Sequence, residues 1–373
     1  MEEKKQYINL GMNVLIFVMG QACNLRCKYC LKNTMTNEQL STEISDDVLD
    51  YLKWLAYNSE NSITVNYYGG EPLVYLDGIK QIVEYCEKLN KESGRYIFSH
   101  AMISNGKLLT QELVDYINEH NISYTLSYDG YNSEYTRGFD SIKERGDLAI
   151  QIKTLGLTGV VTYKNYPLDM CNAFQEFDNK FFEKWKYHVR LNFDDLMDTG
   201  EGIEFQELLN IDHEKYMDDM NKLFDIYEKD LLADIDPPEN YVYKTYCQIL
   251  INNINGYLNS DGCKTSRCKQ GVDVINMDLD GYMYDCHNIT DGKLGHINDN
   301  PSDITRALIA SEYPIMHRLH TMCKDCEAIA VCSGGCKYVS DDKMKSVCNI
   351  CKIKYNVFSN RIVELYHKLK ERQ

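Results

Sequence analysis

Six short apolar or alternating runs, at residues 13–19, 62–68, 96–104, 122–128, 159–163 and 187–193, are separated by helical runs at 46–57, 76–89, 111–119, 141–155 and 168–179. A chain that alternates strand and helix in this way has few options. Each helix carries it back across the sheet, so successive strands run parallel with right-handed crossovers. Six units are too few for a closed eight-unit barrel. In barrel-like sheets of this kind the chemistry sits at the carboxyl ends of the strands, and the unusual residues of this chain fall there.

The first strand runs out into Cys23-Asn24-Leu25-Arg26-Cys27-Lys28-Tyr29-Cys30, a C-x3-C-x2-C spacing with no fourth cysteine. A four-iron cluster has four irons, each needing a ligand. Three thiolates leave one iron open, and an open position separates a reactive metal site from a structural one. A zinc site would want a fourth Cys or His in paired spacing. A lipoprotein signal would want a cationic start, and Met-Glu-Glu-Lys-Lys has no net side-chain charge. The segment resembles the signature of the radical S-adenosylmethionine (SAM) enzymes. The resemblance implies that the open iron binds the amino and carboxylate groups of SAM. An electron from the cluster then cleaves SAM to methionine and a 5′-deoxyadenosyl radical, which abstracts hydrogen from the substrate. It also implies the architecture, an α/β partial (β/α)6 TIM-like barrel.

Gly69-Gly70-Glu71-Pro72 ends the second strand. Two glycines allow close backbone approach to a ligand, and a proline without an N–H stiffens a turn. By resemblance this is the family's GGEP element, whose backbone holds the methionyl ammonium of SAM. Ser127 and Arg137 match the positions where relatives place a hydroxyl and a guanidinium near the ribose and carboxylate of SAM. Tyr29 is expected as an aromatic wall by the adenine.

The C-terminal third carries a second pattern. Cys268 is followed by Gly281 and Cys286, then by Cys323-x2-Cys326-x5-Cys332-x3-Cys336, and finally by Cys348. Residues 263–351 resemble the SPASM extension of radical SAM enzymes, which holds two auxiliary [4Fe–4S] clusters. The resemblance assigns Cys263, Cys268, Cys286 and Cys336 to one cluster and Cys323, Cys326, Cys332 and Cys348 to the other. Cys351 competes with Cys348 for the last place. Two structural zinc sites are the alternative use of eight such thiolates. Asp236-Pro237-Pro238-Glu239-Asn240 marks a boundary, giving a barrel over 1–235 and a bridging helix with the SPASM domain over 236–373. Cys86, Cys171 and Cys247 read as small buried hydrophobes.

The net charge of −16 disfavours a nucleic acid partner, and no apolar stretch approaches a membrane span. Fifteen cysteines without a secretory signal fit a reducing, cytoplasmic setting and metal ligation. In length, element order and cysteine spacing the chain resembles the anaerobic sulfatase-maturating enzymes most. Those usually carry Asp after the cysteine that Cys286 matches, as a base for the substrate step; here the residue is His287, which can also act as a base. The residue before Gly69 is Tyr68, where those enzymes often have Gln. These departures favour a maturase of ribosomally made peptides, forming a thioether, a carbon–carbon crosslink or an oxidised residue. Formylglycine formation on a sulfatase and radical oxidation of a small metabolite are the alternatives. The resemblance implies three [4Fe–4S] clusters and SAM as cofactors and a flavodoxin or ferredoxin as electron donor. With about a dozen residues before the first strand, no N-terminal leader-recognition domain is expected, so leader binding would fall to the barrel, the SPASM domain or a separate leader-binding protein.

Overall fold

The structure is a computed structural model, and it describes residues 7–8, 11–30, 43–198, 203–259, 268, 273–288 and 292–372. Strands β1 (Val14–Val18), β2 (Ile63–Tyr68), β3 (Phe98–Ser104), β4 (Ser123–Ser127), β5 (Gly156–Val161) and β6 (Arg190–Asp195) pair in chain order, all parallel. The sheet does not stop at β1. Strand β7 (Val274–Met277) joins the other side of β1, also parallel, with Ile16 opposite Asn276. Antiparallel β8 (Tyr282–Tyr284) and β9 (Lys293–His296) complete a nine-stranded sheet ordered β6-β5-β4-β3-β2-β1-β7-β8-β9. The sheet thus crosses residue 235. The physical reason is the second edge of β1, whose N–H and C=O groups find partners in β7.

Alternation along each strand separates two faces. In β2 the side chains of Ile63, Val65 and Tyr67 are buried, while Thr64, Asn66 and Tyr68 are half open. Strand β3 repeats the pattern. The buried set packs beneath helices Asp46–Asn58, Leu76–Ser93 and Gln111–Glu119 through Val48, Leu52, Ile82, Val83, Val114 and Ile117. Each such burial stabilises the fold by ~1.5–3 kcal/mol. Ser45 and Thr110 cap two of these helices by accepting from the N–H groups of Val48 and Leu113. The opposite face of the strands is left for polar side chains and a cavity.

Several element boundaries differ from the sequence expectation: helix Ser141–Ala149 stops short of residue 155, and β6 lies at 190–195 where 187–193 was expected. β5 starts at Gly156, ahead of the expected residue 159, because both of its glycines sit inside the strand at close approaches. A Cβ on Gly159 would stand 2.5 Å from the Tyr128 carbonyl oxygen. Helix Pro167–Trp185 outruns the expected residue 179 because Phe181 continues its buried face.

The C-terminal helix Met344–Lys370 is lashed across the barrel. Buried Lys354 pairs with Asp195 at 2.6 and 2.7 Å. Arg361 and Lys368 reach Glu228 on helix His213–Ala233 at 2.7 and 2.5 Å. Cys86, Cys171 and Cys247 are buried in the core. Among the described residues no helix is long and apolar enough to cross a membrane.

Candidate active site

A cavity of about 310 Å³ lies at the carboxyl ends of the parallel strands. Cys23, Cys27 and Cys30 line it from the loop after β1. Gly69, Gly70 and Glu71 line it from β2, Ser127 from β4, Thr158 and Val160 from β5, and Asn192, Asp194 and Asp195 from β6. Tyr29, Tyr68, Arg137 and Asn288 complete much of the wall. The cysteine loop, the Gly-Gly-Glu run, Ser127 and Arg137 therefore converge on one space. Pro72 stands just outside it, opening the short 3-10 turn Pro72–Tyr75.

The two glycines answer to the chain itself. Gly69 has φ +150°, and a Cβ there would lie 2.5 Å from the Gly20 carbonyl oxygen. A Cβ on Gly70 would lie 2.3 Å from that of Ala22. The N–H groups of Gly70 and Glu71 donate to these same two carbonyls at 2.9 Å. The turn after β2 thus grips the segment entering the cysteine loop. Glu71 is a brace: its buried carboxylate accepts from Leu73 N at 3.1 Å, Ser104 Oγ at 2.7 Å and Asn105 N at 2.8 Å. This ties the end of β2 to the end of β3. Burial pushes the Glu71 carboxyl up, and these donors oppose the shift.

The loop is held from its other side by a carboxylate that the sequence reading missed. Asp129 is fully buried after β4. It accepts from Tyr29 Oη at 2.6 Å, Thr136 Oγ1 at 2.7 Å, Val160 N at 3.0 Å and Arg137 Nη1 at 3.3 Å. Arg137 also donates to the Tyr29 oxygen. Tyr29 and Arg137, expected as separate contacts to SAM, are members of one buried knot. The signal in the sequence was an Asp-Gly pair directly after a strand.

The thiols suit a cluster. Cys23 Sγ accepts from Leu25 N at 3.4 Å and Asn105 Nδ2 at 3.8 Å, the type of hydrogen bond that tunes an iron–sulfur centre. Burial pushes the Cys27 thiol up to about 11. Among the described residues no three thiols, imidazoles or carboxylates meet closely enough to hold a single metal ion. Cluster ligands bind separate irons and need not meet at a point.

In the C-terminal extension, Cys286 and Cys336 flank Tyr338, Cys268 is exposed, and Cys263 lies outside the described residues. Cys323, Cys326, Cys332 and Cys348 neighbour one another. His287 is half buried and meets the ring of Tyr68 edge-on, with centroids 4.4 Å apart. It is absent from the cavity wall, where the adjacent Asn288 stands instead. Tyr68 fills the space between. Its hydroxyl is raised by burial first, then by Asp194, Cys30 and Cys286.

Residues 17–162 match the Radical SAM superfamily, so this part of the chain is a radical SAM domain. An uncharacterised protein, MJ0907 of Methanocaldococcus jannaschii, is 30% identical over 166 residues, 42% of this chain and 56% of that one. The cysteine-type anaerobic sulfatase-maturating enzyme of Clostridium novyi is 24% identical over 343 residues, 88% of each chain. The radical SAM cyclopropyl synthase TigE of Paramaledivibacter caminithermalis is 23% identical over 403 residues, 97% of this chain and 77% of TigE. The fold matches native anSMEcpe with bound AdoMet and Cp18Cys peptide at a TM-score of 0.66 and 19% identity, over 95% of this chain and 99% of that one.

Proposed function

We propose that this radical SAM enzyme modifies residues of a peptide, as a maturase that installs a thioether, a carbon–carbon crosslink or an oxidised residue. The observation that carries the reading is the Tyr68–His287 contact: the residue after Cys286 is an imidazole packed behind the Tyr68 ring of the wall, where formylglycine formation would call for a carboxylate. Similarity to TigE along nearly the whole chain supports it. The second reading, formylglycine formation, draws on the equal coverage with the sulfatase-maturating enzyme.

Cys23, Cys27 and Cys30 would hold the SAM-binding cluster, which with SAM supplies a hydrogen-abstracting 5′-deoxyadenosyl group. The turn at Gly69 and Gly70 sets the position of the cysteine loop relative to β2. Ser127 and Arg137 face the space left for SAM, and the Asp129 knot fixes the guanidinium there. Asp194 is exposed into the same cavity from β6, held by Asn192 Nδ2 at 2.9 Å and Thr158 Oγ1 at 3.5 Å. It is the proposed proton acceptor for the substrate. His287, expected as that acceptor, instead holds the Tyr68 ring in place. Two auxiliary [4Fe–4S] clusters in the C-terminal extension would exchange electrons with the cavity, and a flavodoxin or ferredoxin would supply them.

The test is to offer the anaerobically reconstituted enzyme a short precursor peptide encoded beside its gene and, separately, the Cp18Cys peptide. Loss of two hydrogens from the precursor is expected. Conversion of Cp18Cys alone would establish the second reading, and conversion of neither would remove the peptide. With the productive peptide, Asp194→Asn is expected to keep SAM cleavage and to lose at least 100-fold in product, the range for a missing general base. His287→Ala is expected to keep both, with more SAM cleaved per product because Tyr68 loses its neighbour. Equal coupling ratios in His287→Ala and the parent would dismiss this role.

A further inference from the structure

Strand β6 ends the sheet: β5 lies on one side, and among the described residues no strand lies on the other. Arg190 N donates to Leu155 O at 3.1 Å, which fixes the direction of the backbone groups of β6. In a parallel ladder every second residue bonds a given neighbour. Arg190, Asn192 and Asp194 therefore turn their N–H and C=O groups toward β5, and Leu191 and Phe193 turn theirs to the outer edge. Among the described residues no group bonds the backbone of these two there. The burial pattern agrees. Along β2, paired on both sides, buried residues alternate with half-open ones; along β6 half-open residues alternate with exposed ones. The open run is bounded. Tyr241 Oη donates to Val189 O at 3.1 Å just before it, and Lys354 holds the Asp195 carboxylate at its far end. Asn192 and Asp194 line the candidate active site, while the ring of Phe193 packs against Phe174 and Tyr246.

We propose that the substrate peptide binds as an added strand along the outer edge of β6, sharing backbone hydrogen bonds with Leu191 and Phe193. This rests on the peptide reading above. Edge groups without partners are a template for another extended chain, and main-chain bonds to such an edge supply affinity whatever the side chains. The occupant is an extended segment rather than the edge of a second folded sheet, because the open run is short and bounded at both ends. The edge also continues into the cavity, so a peptide laid on it arrives where the cysteine loop, Ser127 and Arg137 converge. Residues opposite one another on neighbouring strands share a face. Peptide residues opposite Asn192 and Asp194 would therefore enter the cavity, and the residues between them would turn toward Phe193. One side chain in two is presented for reaction, and its immediate neighbours are kept out.

The experiment uses the cluster-loaded enzyme with SAM, without reductant, and whichever peptide it converts, the encoded precursor or Cp18Cys. Each backbone nitrogen of that peptide is methylated in turn, and affinity is measured by anaerobic titration calorimetry. Affinity is expected to fall about tenfold at alternate positions, each the loss of one hydrogen bond at the edge, and to change little at the positions between. Hydrogen exchange resolved to single residues by mass spectrometry is expected to slow at the amides of Leu191 and Phe193 when the peptide is added. It is expected to stay unchanged at Arg190, Asn192 and Asp194, which already face β5. Losses that do not alternate, or unslowed exchange at Leu191 and Phe193 with the peptide bound, would overturn the added strand and leave the peptide as substrate. So would slow exchange at these two amides before any peptide is added, since the chain itself or a second copy would then hold the edge. If neither peptide is converted, the peptide reading has failed and the added strand falls with it; conversion is therefore measured first.

Discussion

Replacing Cys27 by alanine is expected to abolish SAM cleavage and to lower the iron content from about twelve to about eight atoms per chain. Cys27 is the middle thiol of the loop. Its Sγ lies 3.9 Å from the Arg137 carbonyl oxygen, and the next residue, Lys28, donates its N–H to Thr136 O at 2.9 Å. Two remaining thiolates would leave two irons without protein ligands, so the whole cluster should be lost. The eight irons left behind would be those of the C-terminal extension. Chromatography of 5′-deoxyadenosine and a colorimetric iron assay read the two effects separately. Cleavage persisting in the variant would refute the assignment of the loop. A pH effect follows from the same thiol. With its pKa pushed up to about 11 by burial, Cys27 is protonated at neutral pH and must release that proton to bind iron. Cluster capture is therefore expected to improve between pH 7 and pH 9, by about tenfold per unit for one proton released.

Asp129→Ala is expected to be the most damaging single change away from the cysteines. The variant would leave Arg137 buried without its carboxylate and free three more donors. Removing one partner of a buried ion pair costs about 3–5 kcal/mol. The loss should appear as a lower thermal midpoint of the cluster-free protein and as weakened SAM binding. Asp129→Asn keeps the shape and two acceptor positions, and is expected to fall between the alanine variant and the parent. If Asp129→Ala melted with the parent and bound SAM equally well, the knot would be incidental to the site.

The parts of this protein that follow a local rule were open to reading from the sequence. Strands alternate buried and open residues, helices repeat every third or fourth, and thiolate ligands keep their spacing; these rules located β1 to β6, the cysteine loop and the extension. What escaped reading depends on contacts between distant segments. Nothing local marks Glu71 as a brace, because its partners Ser104 and Asn105 lie 33 and 34 residues away. Gly69 and Gly70 were legible as glycines that something must approach, but the approaching group is the chain at Gly20 and Ala22, not only a ligand. Asp129 draws its donors from three separate stretches of sequence. His287 was placed by its position after Cys286, and a residue that follows a ligand in sequence need not share its direction. Asn288 reaches the cavity and His287 meets Tyr68.

Strand β1 has partners on both sides, β2 from the barrel and β7 from the extension. The consequence concerns how the protein can be taken apart. A chain ended at residue 235 would keep every thiol of the cysteine loop, yet it would bare a run of unpaired backbone along the strand that launches that loop. It would also discard the two lysines and the arginine that hold Asp195 and Glu228. Such a fragment is an invitation to pair with its own copies. The cysteine loop and the extension should therefore melt together as a single cooperative unit. Any shortened form of this chain would need another cover for the second edge of β1 before its cysteine loop could hold its place.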